Sequence, residues 1–305
     1  MLLTSISFII QAATALLAVA FFTLLERKVL SYIQLRKGPN KPGLVGLPAP
    51  LADAGKLALK EVTIPTFSNL LPYYLAPVFG LFLAFIFWIL IVSFFGSMSF
   101  KFSVMFFLAV SSLSVYSTMV SGWASNSKYA LLGALRAVAQ TISYEVSMAL
   151  IMISAILTLK SLDFHIMDIN QSKFWVVFLL WQCSFVWLVS TMAGTNRSPF
   201  DFAEGESEIV SGFNIEYSAG TFALIFMAEY MNIIFMSVLT SILFFGSSSV
   251  IIFLSKSLFF MFCFLWSRGS LPRFRYDQLM DLTWKGFLPF ILSFLMVLVS
   301  LVFLM

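Results

Sequence analysis

The sequence predicts an all-α, polytopic membrane protein with about eight transmembrane helices and one short amphipathic surface helix. Three observations carry that prediction. Hydrophobic residues make up 60% of the 305 and charged residues only 10%, where an ordinary soluble domain carries roughly a quarter charged. Eight apolar runs come close to or exceed the roughly 20 residues that cross a hydrocarbon core at 1.5 Å per residue. The basic residues gather in alternate connections between those runs, as they do in chains laid through a bilayer.

The first run, Leu2–Leu25, has no basic leader and no small-residue cleavage site behind it, so it reads as a retained span rather than a signal peptide. The connection 26–69 follows, opening with Glu26 beside Arg27 and Lys28. The plain reading of that cluster is interfacial anchoring by snorkelling side chains. Within Pro50–Pro65, Leu51, Ala54, Ala58 and Val62 share one helical stripe while Asp53, Lys56 and Lys60 face away. Such a helix suits the membrane surface or a protein partner, and the pattern leaves both open. The next spans are Leu70–Phe95, Phe102–Val120, Tyr129–Leu159, Phe174–Met192 and Tyr217–Phe245. Val250–Trp266 is the weakest, short and holding Lys256, and Phe287–Leu304 closes the series. No connection is long enough for a second domain, so residues 1–305 form one integral membrane domain.

Fourteen of the 18 basic residues fall in loops after odd-numbered spans or in the first turns of the fourth; only Lys101, Lys160, Lys173 and Lys256 lie opposite. The positive-inside rule makes the crowded face cytoplasmic, or the matrix face in a mitochondrion, and eight spans put both termini on the other side. Two cysteines and one histidine cannot supply the ligands of an iron–sulfur cluster or a bis-histidine haem.

Two acids lie near the middle of spans: Glu145 in the fourth and Glu229 in the sixth. A charged group at a helix centre costs roughly 2.5–3.5 kcal/mol on insertion scales, so it is rarely kept without a use. Arg136 precedes Glu145 by nine residues and stands on the opposite helix face. Gln140, Ser143 and Tyr144 extend the Arg136 face as a polar stripe. One such residue would be an interhelical hydrogen bond; two mid-span carboxyls and a stripe point to proton handling. The segment "GTNRSPFDFAEGESEIVSGFNIEY" sets Asp201, Glu204, Glu206, Glu208 and Glu216 against a single base, Arg197. Acids interleaved with Phe200, Phe202 and Phe213 on the positive side suit a cavity opening to that side. Without histidine or Asp-x-Asp spacing, a metal site is not expected there.

The runs "ERKVLSYIQLRKGPNKPG", "SGWASNSKYALLGALRAVAQTISYEVSMALI", "TNRSPFDFAEGESEIVSGFNIEYSAG" with "FALIFMAEY", and "PRFRYDQLMDLTWK" resemble the subunit 1 family of respiratory complex I, the mitochondrial NADH:ubiquinone oxidoreductase. The resemblance implies a place where the peripheral redox arm meets the membrane arm. Electrons would come from NADH through flavin and iron–sulfur clusters in partner subunits to ubiquinone, the substrate. It implies quinone-tunnel or acidic-loop roles for Arg27, Arg197, Asp201, Glu204, Glu206 and Glu208. It implies a proton path through Glu145, Glu216 and Glu229, with Arg136 and Tyr144 beside it. Implied partners are membrane subunits 3, 6 and 4L, the quinone-site subunits of the peripheral arm, and membrane lipids, with no nucleic acid. No catalysis is expected from the chain alone. Gly194 departs from the family's usual Glu, and Ala49 from its usual Gln. A composition rich in Phe and Met, and a start directly in a span, point to a mitochondrially encoded chain of the inner membrane. The membrane subunit of an energy-converting hydrogenase, a stand-alone cation/proton transporter and a structural anchor are the competing readings. A transporter would favour inverted repeats, and the sequence displays none.

Overall fold

A computed structural model of the protein describes residues 2–94, 100–172, 174–203, 205, 210, 212–246 and 249–304. All regular structure among them is helical. Seven helices are long and apolar enough to cross a membrane. They correspond to seven of the eight predicted spans.

Helix α1 (Leu2–Ile33) has 32 residues, about 48 Å at 1.5 Å rise, and so outruns the predicted span. Its last two turns carry Glu26, Arg27 and Lys28 as helix, not loop. The helix stops where Leu35 takes a left-handed conformation, φ 56°. The expected amphipathic element is α2 (Ala49–Leu59), with Pro50 in its first turn and an extended Lys60 ending it. Its stripe is not packed on this chain: Leu51 is 65% exposed, while Asp53 meets Arg27 on α1 at 2.7 Å. The stripe is therefore left uncovered by this chain, and both readings, the membrane surface and a protein partner, stay open.

Helices α3 (Leu70–Phe94), α4 (Ser103–Ala124) and α5 (Lys128–Leu159) pack in sequence, α3 on α4 and α4 on α5. Ser127 caps α5 by accepting from the Ala130 amide at 3.3 Å. At their crossing a Cβ on Gly122 would fall 2.3 Å from that of Ala134, so only glycine lets α4 and α5 approach there. After the short α6 (Phe164–Asn170) comes the main departure from expectation. The apolar run 174–192 is not one long helix but a 3-10 turn (Val176–Phe178) and then α7 (Trp181–Gly194). With 14 residues α7 is about 21 Å long, well short of the roughly 30 Å hydrocarbon core. Hydropathy records that a run is apolar, not that its backbone is continuous.

Helix α8 (Ala219–Thr240) runs on into a π-turn (Ser241–Phe245). Ile233, Ile234, Phe235, Val238 and Leu239 are all buried, the mark of a helix enclosed on every side. α9 (Val250–Ser270) packs against α8 and α1. Lys256, which made this span look weak, has a structural task. Its ammonium donates to the carbonyls of Phe245 at 2.9 Å and Gly246 at 2.6 Å and lies 4.3 Å from the centre of the Trp175 ring. It thus satisfies acceptors that the end of α8 would leave bare in lipid. The last predicted span starts earlier than expected: α10 (Tyr276–Asp281), a π-turn (Leu282–Phe287) and α11 (Leu288–Leu304) follow without a break.

Candidate functional site

Although α7 runs two residues past the predicted span, to Gly194, its end lies inside the bundle, and the connection after it begins there. Gly194 abuts Tyr144, at the midpoint of α5; a Cβ on Gly194 would lie 3.1 Å from the Tyr144 ring. Backbone at that depth must have its polar groups matched by protein. Gln140 of α5, fully buried, supplies the match. Its amide nitrogen donates to the carbonyls of Ala193 and Phe200, both at 2.8 Å. The turn 271–275 adds a bond from the Phe274 amide to the Pro199 carbonyl at 3.1 Å, with the Phe200 and Phe274 rings stacked 5.3 Å apart. At the far end, Tyr73 and Tyr217 stack 4.4 Å apart. Their hydroxyls donate to the carbonyls of Glu216 at 2.6 Å and Ser121 at 3.2 Å. The loop is tied at both ends.

Those ties bury charge. Arg197 is 7% exposed and Asp201 6%. The Arg197 guanidinium lies 4.6 Å from the Tyr230 ring centre. The Tyr230 hydroxyl donates to Glu26 Oε2 at 2.5 Å, and Arg268 pairs with the other Glu26 oxygen. Asp201 receives Arg273 at 3.1 Å. Three guanidiniums and two carboxylates therefore share one region fed by α1, α8, α9, the 271–275 turn and the loop, in which Arg197 and both acids are buried and Arg268 and Arg273 partly exposed. Glu26, far from acting as a surface anchor, is 4% exposed and central to it. Sequence reasoning missed Glu26, Tyr230, Arg268 and Arg273. The signal that would have found them is the demand that an acid buried near a span end be paired, though nothing in the sequence says that the partner is 242 residues away.

The remaining expected residues divide. Arg27 points outward to Asp53 on α2. Glu204, Glu206 and Glu208 lie outside the described residues. Arg136 and Glu216 are half-buried, and Glu216 meets Tyr73 through its backbone. Gln140 and Ser143 of the polar stripe are absorbed in packing: Ser143 donates to the Ala139 carbonyl at 2.6 Å and accepts from Trp284 at 3.4 Å. Tyr144 and Glu229 come together on a cavity of about 80 Å³, lined by both polar and apolar side chains, between α3, α4, α5, α8 and the residues after α7. Glu145 is absent from its lining; it is half-buried, and its Oε1 has no hydrogen-bond partner among the described residues. Ala49, the second departure, only opens α2.

The NADH dehydrogenase family profile matches residues 6–299. Among similar proteins, the NADH-ubiquinone oxidoreductase chain 1 of Anopheles gambiae is 53% identical over 287 residues, 94% of this chain and 91% of that protein. The protein of the same name from Heterololigo bleekeri is 53% identical over 310 aligned positions, covering 100% of this chain and 99% of its own. That from Tolypeutes matacus is 52% identical over 294, covering 94% and 92%.

Proposed function

This chain belongs to the NADH dehydrogenase family as a membrane subunit of NADH-ubiquinone oxidoreductase, and from that premise we propose that its sunken loop forms part of the ubiquinone-binding tunnel and that its mid-span acids couple quinone reduction to proton translocation. One observation carries the reading: α7 ends beside Tyr144, bringing Arg197 and Asp201 into the bundle next to a cavity that Glu229 lines. A quinone ring is planar and presents two carbonyl oxygens. Guanidinium donors beside aromatic faces suit it, because each oxygen gains negative charge as the ring is reduced. Ubiquinone accepts two electrons and two protons to give ubiquinol. The electrons come from NADH through flavin and iron–sulfur clusters of the partner subunits.

The energies are compatible. Moving one charge against about 100 mV takes about 2.3 kcal/mol. Breaking one partner out of a buried ion pair is worth roughly 3–5 kcal/mol. A charge change at the quinone that rearranges the Arg268–Glu26 or Arg273–Asp201 pair involves energies of the size that a proton step through Glu229, Glu216 and Glu145 requires. Arg136 and Tyr144 flank that route. Arg27, with Asp53 on α2, stands where a tail entering from the bilayer would pass. Glu204, Glu206 and Glu208, acids of the same stretch of sequence, are assigned to the acidic loop of the quinone site. The weight of basic residues in alternate connections supports a matrix-facing loop side and, with the 3-10 turn and α7 together making an eighth crossing, termini toward the intermembrane space. Partners in the inner membrane are subunits 3, 6 and 4L, with the quinone-site subunits of the peripheral arm against the loop.

The test replaces Glu229 or Glu145 by Gln in the assembled complex. The expected result is normal assembly with inhibitor-sensitive ubiquinone reduction and fewer protons moved per NADH. Full pumping by both variants would refute the proton role, and ubiquinone reduction unaffected by Arg197→Met would refute the tunnel role.

A further inference from the structure

We propose that the groove between α7, the end of α8 and α9 is a lipid site that takes one acyl chain of an anionic phospholipid and sets its phosphate at Lys256. The groove has a volume of about 530 Å³, within the roughly 300–1,000 Å³ of ordinary ligand sites. Its rim comes from both sides of the break in the run 174–192. Phe178 of the 3-10 turn, Trp181 and Phe185 of α7, and Phe259 of α9 are all exposed there. Its floor is Trp187, Phe244 and Phe260, all buried.

Lining, width and charge identify the occupant. The two hydroxyls on the groove are spent within their own helices: Ser184 donates to the Trp181 carbonyl at 2.6 Å and Thr240 to the Ser237 carbonyl at 2.7 Å. The Trp187 indole N–H has no acceptor among the described residues, but that nitrogen is itself buried, out of an occupant's reach. What remains is hydrocarbon and ring, which gains dispersion contacts only if the space is filled. A partner's helix, about 10 Å across, takes roughly 400 Å³ for each turn, so the groove would hold little more than one. A single chain of methylenes is far thinner. Charge supplies the other end of the ligand. Lys256 stands one turn before Phe259 and Phe260 on α9. Its ammonium donates at 2.9 Å to the carbonyl of Phe245, whose ring lines the groove 5.1 Å from that of Phe260. Two of its three N–H groups go to the carbonyls of Phe245 and Gly246, which leaves a donor for a phosphate oxygen. Asp168 of α6 acts on it through the field. Trp175, 4.3 Å from the ammonium, and Trp181 on the rim are rings of the kind that settle at headgroup depth. The groove lies at the start of α7 and the sunken loop at its end, so the two sites face opposite leaflets.

The inference needs only the membrane spans and stands apart from the tunnel and proton readings. The experiment strips loosely held lipid from the assembled complex in detergent and offers phosphatidylglycerol with a photoreactive acyl chain, or phosphatidylcholine with the same chain. Labelled residues are then mapped by peptide mass. Three chains are compared: the native one, Cys263→Phe, which fills the groove from a lining position, and Lys256→Gln. In the native chain, label from phosphatidylglycerol should fall on 177–188 and 259–263 several-fold more densely than on exposed helix faces elsewhere in the complex, and several-fold more than from phosphatidylcholine. Cys263→Phe should lose that label several-fold, and Lys256→Gln should lose the preference between the two lipids. If Cys263→Phe does not assemble, Cys263→Leu takes its place; if neither does, the native pattern decides. Label no denser in the groove than elsewhere overturns the site, as does label that survives its filling, or a map with a partner's helix seated there. Equal labelling of the native chain by both lipids overturns the phosphate contact at Lys256.

Discussion

Replacing Gln140 by Leu separates the loop's attachment from the stability of the bundle. The substitution removes two hydrogen bonds of 2.8 Å, to Ala193 and Phe200. Neither carbonyl is orphaned, because Ala193 still receives the Asn196 amide at 3.3 Å and Phe200 the Phe202 amide at 3.1 Å. The loss is thus two ordinary bonds, roughly 1–3 kcal/mol together. Leucine also removes Gln140 Oε1, a buried acceptor without a donor in the native chain, which returns a similar amount to the folded state. The two nearly cancel for the whole protein. They do not cancel for local opening of the loop, since only the bonds to Ala193 and Phe200 break when it lifts. The opening equilibrium should rise about 5- to 150-fold, at 1.4 kcal/mol per factor of ten. Hydrogen exchange of the assembled complex reads this directly. Amides of 195–203 should exchange faster by that factor while those of α5 and the thermal midpoint barely move, and ubiquinone reduction should fall. Unchanged exchange over 195–203, or a midpoint lowered in step with it, would show that Gln140 does not hold the loop.

Three further outcomes follow from contacts between helices. Glu26→Ala strands Arg268 beside Tyr230 and should cost about 3 kcal/mol, the low end for a buried pair, because Arg268 keeps 33% of its side chain exposed; native gels should show less assembled complex, and Arg268→Met added to Glu26→Ala should recover part of it. Lys256→Met removes the donors to Phe245 and Gly246 and the contact with Trp175, and should lower stability by about 2–3 kcal/mol, measured as the thermal midpoint, with Lys256→Arg falling between. Gly194→Ala presses a methyl to 3.1 Å from Tyr144 and should cost roughly 1–3 kcal/mol as overpacking; turnover and midpoint should both drop, and a wild-type midpoint would mean that the ring moves freely.

The helical class and seven of the long spans were legible in the sequence because a bilayer demands long apolar runs and tolerates few others. Glu145 and Glu229 stood out by depth, and Tyr144 as part of a polar stripe on the Arg136 face; of these, Glu229 and Tyr144 line one cavity. What sequence could not supply was distance through space. Gln140 reads as a polar group on a helix face; only the depth at which α7 ends makes it the support of a loop, and no hydropathy value marks that depth. Arg268 reads as a base flanking a span until α1 proves long enough to carry Glu26 to it. Lys256 reads as a defect in a span until the π-turn of α8 brings two carbonyls to its ammonium. In each case the residue's chemistry was visible and its partner was not.

The brevity of α7 has a consequence for how substitutions are tolerated along its neighbour. Over the half of α5 from Lys128 to Tyr144, the helix braces a backbone that lipid would not accept, with Gly133 against Gly212 and Gln140 against two carbonyls. From Ser147 to Leu159 it meets mostly other side chains, which can repack around a change of shape. Inherited variation in α5 should accordingly be lopsided, sparse in its first four turns and freer in its last four, although both halves are mostly apolar.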